Sequence, residues 1–318
     1  MITHTEAQFD EVLTKRAIAL LEDRTDFAVV NGAIPMIPTT AYNGNYKVWK
    51  AADFRRRNVE KRANGAEFKR VNLGVEERTF ACQEEGYEIP VADRNRLENE
   101  MEDTTAKMVE DAYAQFDIRL AEKLNDIFFP HAKTGTAAGT GDNEFIKWDG
   151  ASSNPIKDIK KFKAEIKARL GVNPDTLLVT EDVYTALTEN ATILARLRTD
   201  ADKEINAAKL AQFFGLDNVY VMAGAETTTA EGQDEQEIGA IAGGKALLYY
   251  KGRVAGAANP SAVKCFYNTN AYGAGSNGII IQTYREEKIT ADVARVVQDF
   301  DIVVAMADGA ILLKDVIA

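Results

Sequence analysis

The chain has 318 residues, of which 46% are hydrophobic and 27% charged, and its formal net charge is −11. This composition is typical of a folded, soluble protein with one large or two moderate domains. No apolar run is long enough to span a bilayer, and residues 1–21 lack the basic start and apolar core of a secretory signal. The acidic balance argues against a surface that binds nucleic acid throughout. Two cysteines, Cys82 and Cys265, predict reduced thiols rather than a disulfide framework.

The first 41 residues predict a helix followed by an extended arm. Apolar residues at helical spacing predict an amphipathic helix within residues 1–25. Residues 24–38 are apolar and extended, because Gly32, Pro35 and Pro38 exclude a helix. The arm is either a strand of the chain's own sheet or a strap across a neighbouring subunit.

Residues 42–87 predict a long two-stranded loop. One strand-like run surrounds Tyr46, another ends near Phe80, and Asn64-Gly65 between them is a strong hairpin signal. Arms of about 20 residues would extend roughly 65 Å at the rise of a strand. Such a hairpin is too long and too polar to be covered by its own domain.

Basic residues cluster at the tip of this loop. Between positions 55 and 70, seven basic residues stand against Glu60 and Glu67, in a chain that is acidic overall. We expect the tip to dock on an acidic surface of another subunit, and the alternatives are a solvated loop tip or a nucleic-acid patch. The seven residues are Arg55, Arg56, Arg57, Lys61, Arg62, Lys69 and Arg70.

Residues 94–129 predict one long helix around which the rest of the chain is organised. Apolar residues recur at three or four positions, and no Gly or Pro interrupts the pattern before Pro130. At 1.5 Å per residue this spine helix would be roughly 54 Å long. Its first half is acidic, so it is a possible counterpart of the basic loop tip. The candidate residues are Glu98, Glu102 and Asp103.

The remainder predicts an α/β layer domain over residues 156–255, after a glycine-rich connection from Lys133 to Ser153. Asn154-Pro155 should open a helix that Gly171 ends. Helices and strands then alternate, and residues 223–238 form a polar, acidic loop. The predicted helices are 156–170, 182–187 and 204–214, and the predicted strands are 176–180, 218–222, 246–250, 263–267, 279–286, 302–305 and 311–317.

Catalytic, cofactor and metal motifs have little support in the sequence. Two histidines and four serines offer no triad, and no phosphate-binding loop or zinc ligand spacing is present. The segment Gly273-Ala-Gly275-Ser-Asn-Gly278 fits the G-x-G-x-x-G pattern, but a strand and not a helix follows it. We therefore expect a hairpin loop there and predict no catalytic residue, no cofactor and no metal.

Three short segments, in this order, resemble tailed-bacteriophage major capsid proteins of the Hong Kong 97-like fold. Residues 154–159 resemble the opening of the first axial-domain helix, and residues 173–187 resemble the helix–strand–helix step after it. Residues 301–316 resemble the closing strands. The order of arm, long loop, long helix and α/β domain adds to the resemblance over nearly the whole chain.

The resemblance implies an α+β fold with an N-terminal arm (1–41), an extended loop (42–87), a peripheral domain with the spine helix (88–155 and 256–297) and an axial domain (156–255 and 298–318). It implies a non-enzymatic protein that assembles with itself into pentamers and hexamers of an icosahedral head enclosing double-stranded DNA. The location would be the virion, after assembly in the bacterial cytoplasm, with no membrane partner.

The resemblance also implies a portal protein and, because the chain starts only about 25 residues before its extended arm, a separate scaffolding protein as partners. Some family members cross-link a loop lysine to a neighbour, but no motif assigns that role to Lys61 or Lys69. Two alternatives stay open. One is an encapsulin-type compartment shell, and the other is an α/β enzyme with an unidentified site in residues 156–255.

Overall fold

The computed structural model describes residues 8–9, 26–49, 61–62, 64–65, 67–68, 70, 74–93, 100–197, 205–227, 229, 238–252, 256–257, 259–269 and 278–318. Within these ranges the helices are α1 (Glu100–Lys123), α2 (Pro155–Leu170), α3 (Glu181–Glu189), α4 (Ala191–Leu197) and α5 (Ala207–Phe214). The strands are β1 (Gln8–Phe9), β2 (Met36–Thr39), β3 (Asn43–Trp49), β4 (Val75–Ala81), β5 (Gln83–Ala92), β6 (Lys133–Thr136), β7 (Glu144–Ile146), β8 (Thr176–Thr180), β9 (Asn218–Met222), β10 (Ala225–Thr227), β11 (Ile238–Ala240), β12 (Ala246–Tyr249), β13 (Val263–Asn268), β14 (Ile279–Glu286), β15 (Ala291–Val304) and β16 (Ala310–Lys314).

The long helix α1 ends at Lys123, six residues before the predicted end. Asn125 stops it, because its amide donates to the Glu122 carbonyl and its side-chain oxygen accepts the backbone N–H of Ile127. The predicted apolar stripe is confirmed at Met108, Ala112, Phe116, Leu120 and Leu124, which are buried. The prediction is wrong at Ile127, which is 87% exposed. Residues 94–99 lie outside the described part of the chain. At 24 residues, α1 is about 36 Å long.

The first sheet is built around β15, a strand of 14 residues with partner strands on both edges. On one edge β5 is antiparallel, from Gln83 opposite Phe300 to Ala92 opposite Ala291. On the other edge β14 and β13 follow one another along β15, and β2 and β1 complete the sheet. Helix α1 packs across this sheet against β15.

The prediction of a hairpin loop at residues 273–278 is wrong, because the strands on either side of this segment do not pair with each other. The strand that follows, β14, is as predicted, but β13 and β14 pair with β15 and not with each other. Residues 270–277 lie outside the described part. The unpredicted length of β15 explains the difference, because one strand of 14 residues accommodates two shorter strands end to end on the same edge.

The second sheet has the order β7-β6-β16-β12-β8-β9 and mixes parallel and antiparallel pairs. Its central strands are apolar without alternation because both faces are covered. In β8, for example, Leu177 and Val179 face the core under α2, while Leu178 faces the core shared with α1. Helix α2 is confirmed, with Asn154 as its N-cap and Gly171 in the left-handed conformation at its end.

The N-terminal arm lies within the chain's own fold. Residues 26–35 form a series of turns between the two sheets, and β2 then pairs in parallel with β13. The hydroxyl of Tyr249 in the second sheet donates to the Ala33 carbonyl, and the Cys265 N–H in the first sheet donates to Pro35. Residues 36–39 of the arm therefore form a strand of the chain's own sheet, which is the first of the two alternatives that the sequence left open.

Asp117 fixes the same segment from the side of α1. Its carboxylate is fully buried and accepts the backbone N–H groups of Ala28 at 2.8 Å and Val29 at 2.9 Å. The ring of Phe27 meets Tyr113 edge-on at 5.8 Å. A buried polar group is tolerated because its hydrogen bonds are satisfied, and here it satisfies two backbone donors of an irregular segment.

Other local predictions need correction. Gln8 and Phe9 form a short strand on β14 instead of a helix, while the rest of residues 1–25 lies outside the described part. The connection at 133–153 contains β6 and β7, and residues 223–238 contain β10, which pairs with β11. Each of these strands is only two to four residues long and depends on backbone pairing with another strand, so local apolar spacing carries no signal.

Candidate assembly interface

The predicted two-stranded loop begins as the hairpin β3–β4. The strands are antiparallel from Asn43 opposite Ala81 to Trp49 opposite Val75. Its base rests on Phe266 of β13, which stacks on Phe80 at 4.3 Å and contacts Tyr46 at 5.3 Å between ring centroids.

Most of the hairpin has no covering layer. Of the strand residues whose side chains are described, only Tyr46 and Phe80 are buried, and Val75 is 37% exposed. An isolated two-stranded hairpin is at best marginally stable in water. The hairpin therefore depends on its base, or on a surface outside this chain, for stability.

Polar contacts hold the base against β15. Arg78 donates from Nη1 to the carbonyls of Val304 at 3.3 Å and Ala305 at 3.1 Å. The Ala81 N–H donates to the Asp301 carboxylate at 3.0 Å. These bonds join β4 to the end of the longest strand, so the direction in which the hairpin leaves the sheet is defined.

Gly44 permits the aromatic contact at the base. A Cβ atom at this position would lie 2.7 Å from two carbons of the Phe80 ring. Such a distance is far inside van der Waals contact, so any side chain here would displace Phe80 from Phe266. Glycine at position 44 is thus required by close approach.

A buried lysine also lies at the base. Lys264 is 2% exposed; its Nζ donates to the Ala257 carbonyl at 2.8 Å and lies 5.6 Å from the centroid of the Tyr46 ring. Burial lowers the pKa of Lys264 to about 8. The ammonium therefore loses its charge more readily than a surface lysine.

At the tip, Asn64 and Gly65 form a turn as predicted, with Gly65 at φ +85°. The guanidinium of Arg62 lies 4.2 Å from the ring centroid of Phe68, whose side chain is 76% exposed. The sequence pattern did not single out Phe68 as a contact residue of the tip, although an apolar residue flanked by charges was a possible signal.

The structure describes only part of the predicted basic cluster. Lys61, Arg62 and Arg70 are exposed near the turn. The other predicted tip residues, Arg55, Arg56, Arg57 and Lys69, lie outside the described residues. Of the predicted acidic counterparts, Glu98 lies outside as well, and Glu102 and Asp103 lie in the first turn of α1.

An acidic groove of about 400 Å³ separates β5 from α1. The Tyr87 hydroxyl donates to Asp111 at 2.6 Å across it, and Arg119 pairs with Glu85 at 2.6 Å and Glu122 at 3.0 Å. The side-chain oxygen of Gln298 is buried and has no hydrogen-bond partner among the described residues. The residues with polar side chains that line the groove are Glu84, Glu85, Tyr87, Asp111, Gln115, Arg119 and Gln298.

The net negative charge of the groove favours a positively charged partner, and among the described residues its unpaired buried atoms are one acceptor, Gln298 Oε1, and one donor, Arg119 Nε. Glu84 and Asp111 contribute acceptors at its wall, and Arg119 is already neutralised by two carboxylates. A buried acceptor without a partner is costly, so a donor that reached Gln298 would gain more than at an open surface. Sequence reasoning missed this groove because its residues come from three distant segments.

Sites for other chemistry are not evident in the described part of the chain. Those residues include no group of three or more histidine, cysteine or acidic side chains that could hold a metal ion. No helix among them is long and apolar enough to cross a membrane. His131 pairs with Asp308 at 3.0 Å.

No protein-family model matches this sequence, and no curated protein matches it either. By structure, the chain is similar to a phage-related protein from Bordetella bronchiseptica RB50, with a TM-score of 0.71 and 16% identity over 98% of both chains. It is also similar to the capsid of cyanophage P-SCSP1u, with a TM-score of 0.54 and 10% identity over 89% of this chain and 86% of that one. The chain has a phage capsid fold.

A third similar structure is a virus-like particle from Pyrococcus furiosus, with a TM-score of 0.55 and 10% identity over 95% of this chain and 98% of that one. All three similarities extend over nearly the whole chain. They confirm the mixed α/β capsid fold that the sequence resemblance predicted. At such identities the shared property is the fold.

Proposed function

We propose that this protein is a structural major capsid protein of a tailed phage, without catalytic activity. It assembles into pentamers and hexamers of an icosahedral head that encloses double-stranded DNA. The observation that carries the proposal is the hairpin β3–β4, which leaves the body of the capsid fold with most of its side chains exposed. Portal and scaffolding proteins are the expected partners, and the virion is the expected location.

The finer architecture follows the Hong Kong 97-like scheme in this proposal. Residues 1–41 are the N-terminal arm, 42–87 the extended loop, 88–155 and 256–297 the peripheral domain, and 156–255 and 298–318 the axial domain. The two apolar cores on either side of the second sheet support a division into two parts. β15 belongs to the first sheet from Ala291 to Val304, which favours a domain boundary after Val304 over one at residue 298.

The basic loop tip of one subunit docks in the acidic groove between α1 and β5 of the next. Charge complementarity supports this pairing, because the tip offers Arg62 and Arg70 and the groove offers Glu84 and Asp111. A contact in which one patch meets a different patch on the next copy generates rings when the rotation closes. A hairpin that extends beyond its own domain suits such a contact.

A second candidate is a shell that encloses cargo other than a phage genome. The similarity to the Pyrococcus furiosus virus-like particle favours it. Both candidates require the same self-assembly and differ in the content of the particle.

Negative-stain electron microscopy of the purified protein, expressed alone and with its neighbouring genes, tests the proposal. Closed shells, or rings of five or six subunits, are the expected result. DNA inside would support the phage head, and protein inside would support the second candidate. A monodisperse monomer under both conditions would contradict both.

Charge exchange tests the docking contact. Reversal of the tip (Arg62→Glu with Arg70→Glu) should block assembly, as should reversal of the groove (Glu84→Lys with Asp111→Lys). The four changes combined should restore assembly at least in part, because the four reversed residues then again pair opposite charges. A control with the same charge change at exposed positions, Arg196→Glu with Lys288→Glu, should assemble normally.

Circular dichroism establishes that each variant is folded. Normal particle yield from the tip variant would show that the tip does not dock through its charges. If the combined variant does not assemble, the acidic surface that receives the tip lies elsewhere than in this groove.

A further inference from the structure

The solvent face of α2 carries only lysine and alanine. The exposed residues of this helix are Lys157, Lys160, Lys161, Ala164, Lys167 and Ala168, which follow one another at helical spacing. The opposite face, including Ile159 and Phe162, is buried. In a chain with a net charge of −11, this is a continuous basic surface.

Two acidic residues of the same helix lie on its flanks and are engaged in other contacts. Asp158 is half-buried and accepts the indole N–H of Trp148 at 3.4 Å. Glu165 pairs with the buried Lys133 at 3.0 Å. The flanking bases are engaged as well, since Lys163 donates to the Phe214 carbonyl at 3.1 Å and Arg169 to Ala310 at 3.4 Å. Lys157 and Lys161 interact electrostatically with Asp158, but no acidic side chain is among the exposed residues of α2.

These lysines destabilise α2 because of where they lie in the helix. Three of them, Lys157, Lys160 and Lys161, lie in the first two turns of α2. The helix macrodipole places partial positive charge at that end, where acidic residues stabilise and basic residues destabilise. Like charges three and four residues apart add repulsion. An anionic partner would offset both costs.

The composition of the face indicates which class of partner it fits. Protein interfaces have aromatic residues, methionine and arginine enriched at their centre, whereas lysine and alanine are depleted. The exposed face of α2 has neither an aromatic nor a large aliphatic side chain. Lysine acts on phosphate as a point charge that needs no fixed geometry, which suits contacts independent of sequence.

We propose that the lysine face of α2 binds the phosphate backbone of double-stranded DNA without sequence preference. From Lys157 to Lys167 the face is about 15 Å long at the rise of an α-helix. One strand of duplex DNA presents about four phosphates over that length, and the face presents four lysines. The inference rests on the proposed function only for the source of the DNA, which is the content of the head.

The acidic balance of the chain does not prevent this contact. At physiological ionic strength charges are screened beyond about 8 Å, so the phosphates respond mainly to the face they touch. Distant acidic residues lower the overall affinity more at low salt than at high salt.

Fluorescence anisotropy with a labelled 30-base-pair duplex tests the inference on the soluble full-length subunit, over 25 to 200 mM salt. The double variant Lys160→Gln with Lys161→Gln removes two cations at the centre of the face. Loss of two phosphate contacts should lower the salt slope of log K by about 2 and weaken binding roughly 30- to 100-fold at 0.1 M salt. The control, Lys107→Gln with Lys288→Gln, changes the net charge equally at exposed positions on other elements.

The control should bind like the wild type. Equal weakening in both double variants, or no binding by the wild type at 25 mM salt, would overturn the inference. So would a lysine-face variant that binds DNA normally but assembles poorly, because the face would then contact another subunit. Assembly is measured separately by electron microscopy, so a failure of DNA binding is distinguishable from a failure of the capsid proposal.

Discussion

The hairpin β3–β4 and the pair β14–β15 are both antiparallel strand pairs, of seven and eight residue pairs respectively. In β14–β15 the first four residues of β14 and nine of the 14 residues of β15 are buried, and the other residues of both strands are half-buried. In the hairpin only the base is covered. Backbone pairing is equivalent in both, so the difference lies in what covers the side chains. One pair is completed by its own chain, and we propose that the other is completed by a second subunit.

Removal of an aromatic ring from the region between α1 and β15 should have the largest effect on the stability of the subunit. Phe116 of α1 is fully buried and lies 4.4 Å from Phe300 of β15 between ring centroids. Phe116→Ala should lower the free energy of unfolding of the soluble subunit by about 3–5 kcal/mol, through lost burial and the cavity left behind. Urea unfolding followed by circular dichroism measures it, with Phe116→Leu as the milder control. A loss under about 1 kcal/mol would show that α1 does not depend on this contact.

The buried carboxyl in the same region should make stability depend on pH. Burial raises the pKa of Asp117 to about 7, whereas an unfolded aspartate has a pKa of about 3.9. Between these values the folded chain binds the extra proton. The contribution of Asp117 to stability is therefore full below about pH 4 and falls as pH rises to 7, by up to about 4 kcal/mol.

The variant Asp117→Asn cannot titrate, and it should lose this pH dependence along with one hydrogen bond to the arm. Urea unfolding of both proteins at pH 5 and pH 8 measures the difference, and the exposed Asp126→Asn serves as the control. A pH response in Asp117→Asn equal to that of the wild type would assign the effect to other groups.

Removal of an aromatic ring from the base of the hairpin should have a smaller effect on stability, confined to the hairpin. Phe80→Ala removes the stack on Phe266, so the hairpin should detach before the rest of the chain unfolds. Proteolysis within residues 43–81 should increase several-fold, while the free energy of unfolding of the sheet around β15 falls by less than about 1.5 kcal/mol. A global loss equal to that of Phe116→Ala would show that hairpin and sheet unfold as one unit.

A charge change on the exposed strands should have the smallest effect on the subunit. Lys47 lies opposite Glu77 in the hairpin register, and a cross-strand charge pair is worth about 0.2–1 kcal/mol. Lys47→Glu should lower stability within that range, and Lys47→Glu with Glu77→Lys should restore it. Thermal unfolding measures both, and a larger loss would show that the hairpin surface is already covered in the subunit.

The candidate site was predictable only where local signals define it. Asn64-Gly65 indicated the turn, and the charge count between positions 55 and 70 indicated the basic tip. The acidic groove was not predictable, because Tyr87, Asp111 and Gln298 are brought together by the pairing of β5 with β15 and the packing of α1. The spacing of apolar residues does not reveal which distant segment packs against a given face of a helix or strand.

The sequence by itself determined the features that neighbouring residues define. Asn154 and Gly171 set the limits of α2 through hydrogen bonds within four residues, and the continuous apolar run at 176–180 required a strand covered on both faces. Tertiary structure alone decided the place of residues 26–35 between the sheets, the role of Asp117 and the alignment of β13 and β14 along β15. These depend on partners 80 or more residues away for the arm, and on the length of a distant strand for the sheet. Local propensity contains no information about either.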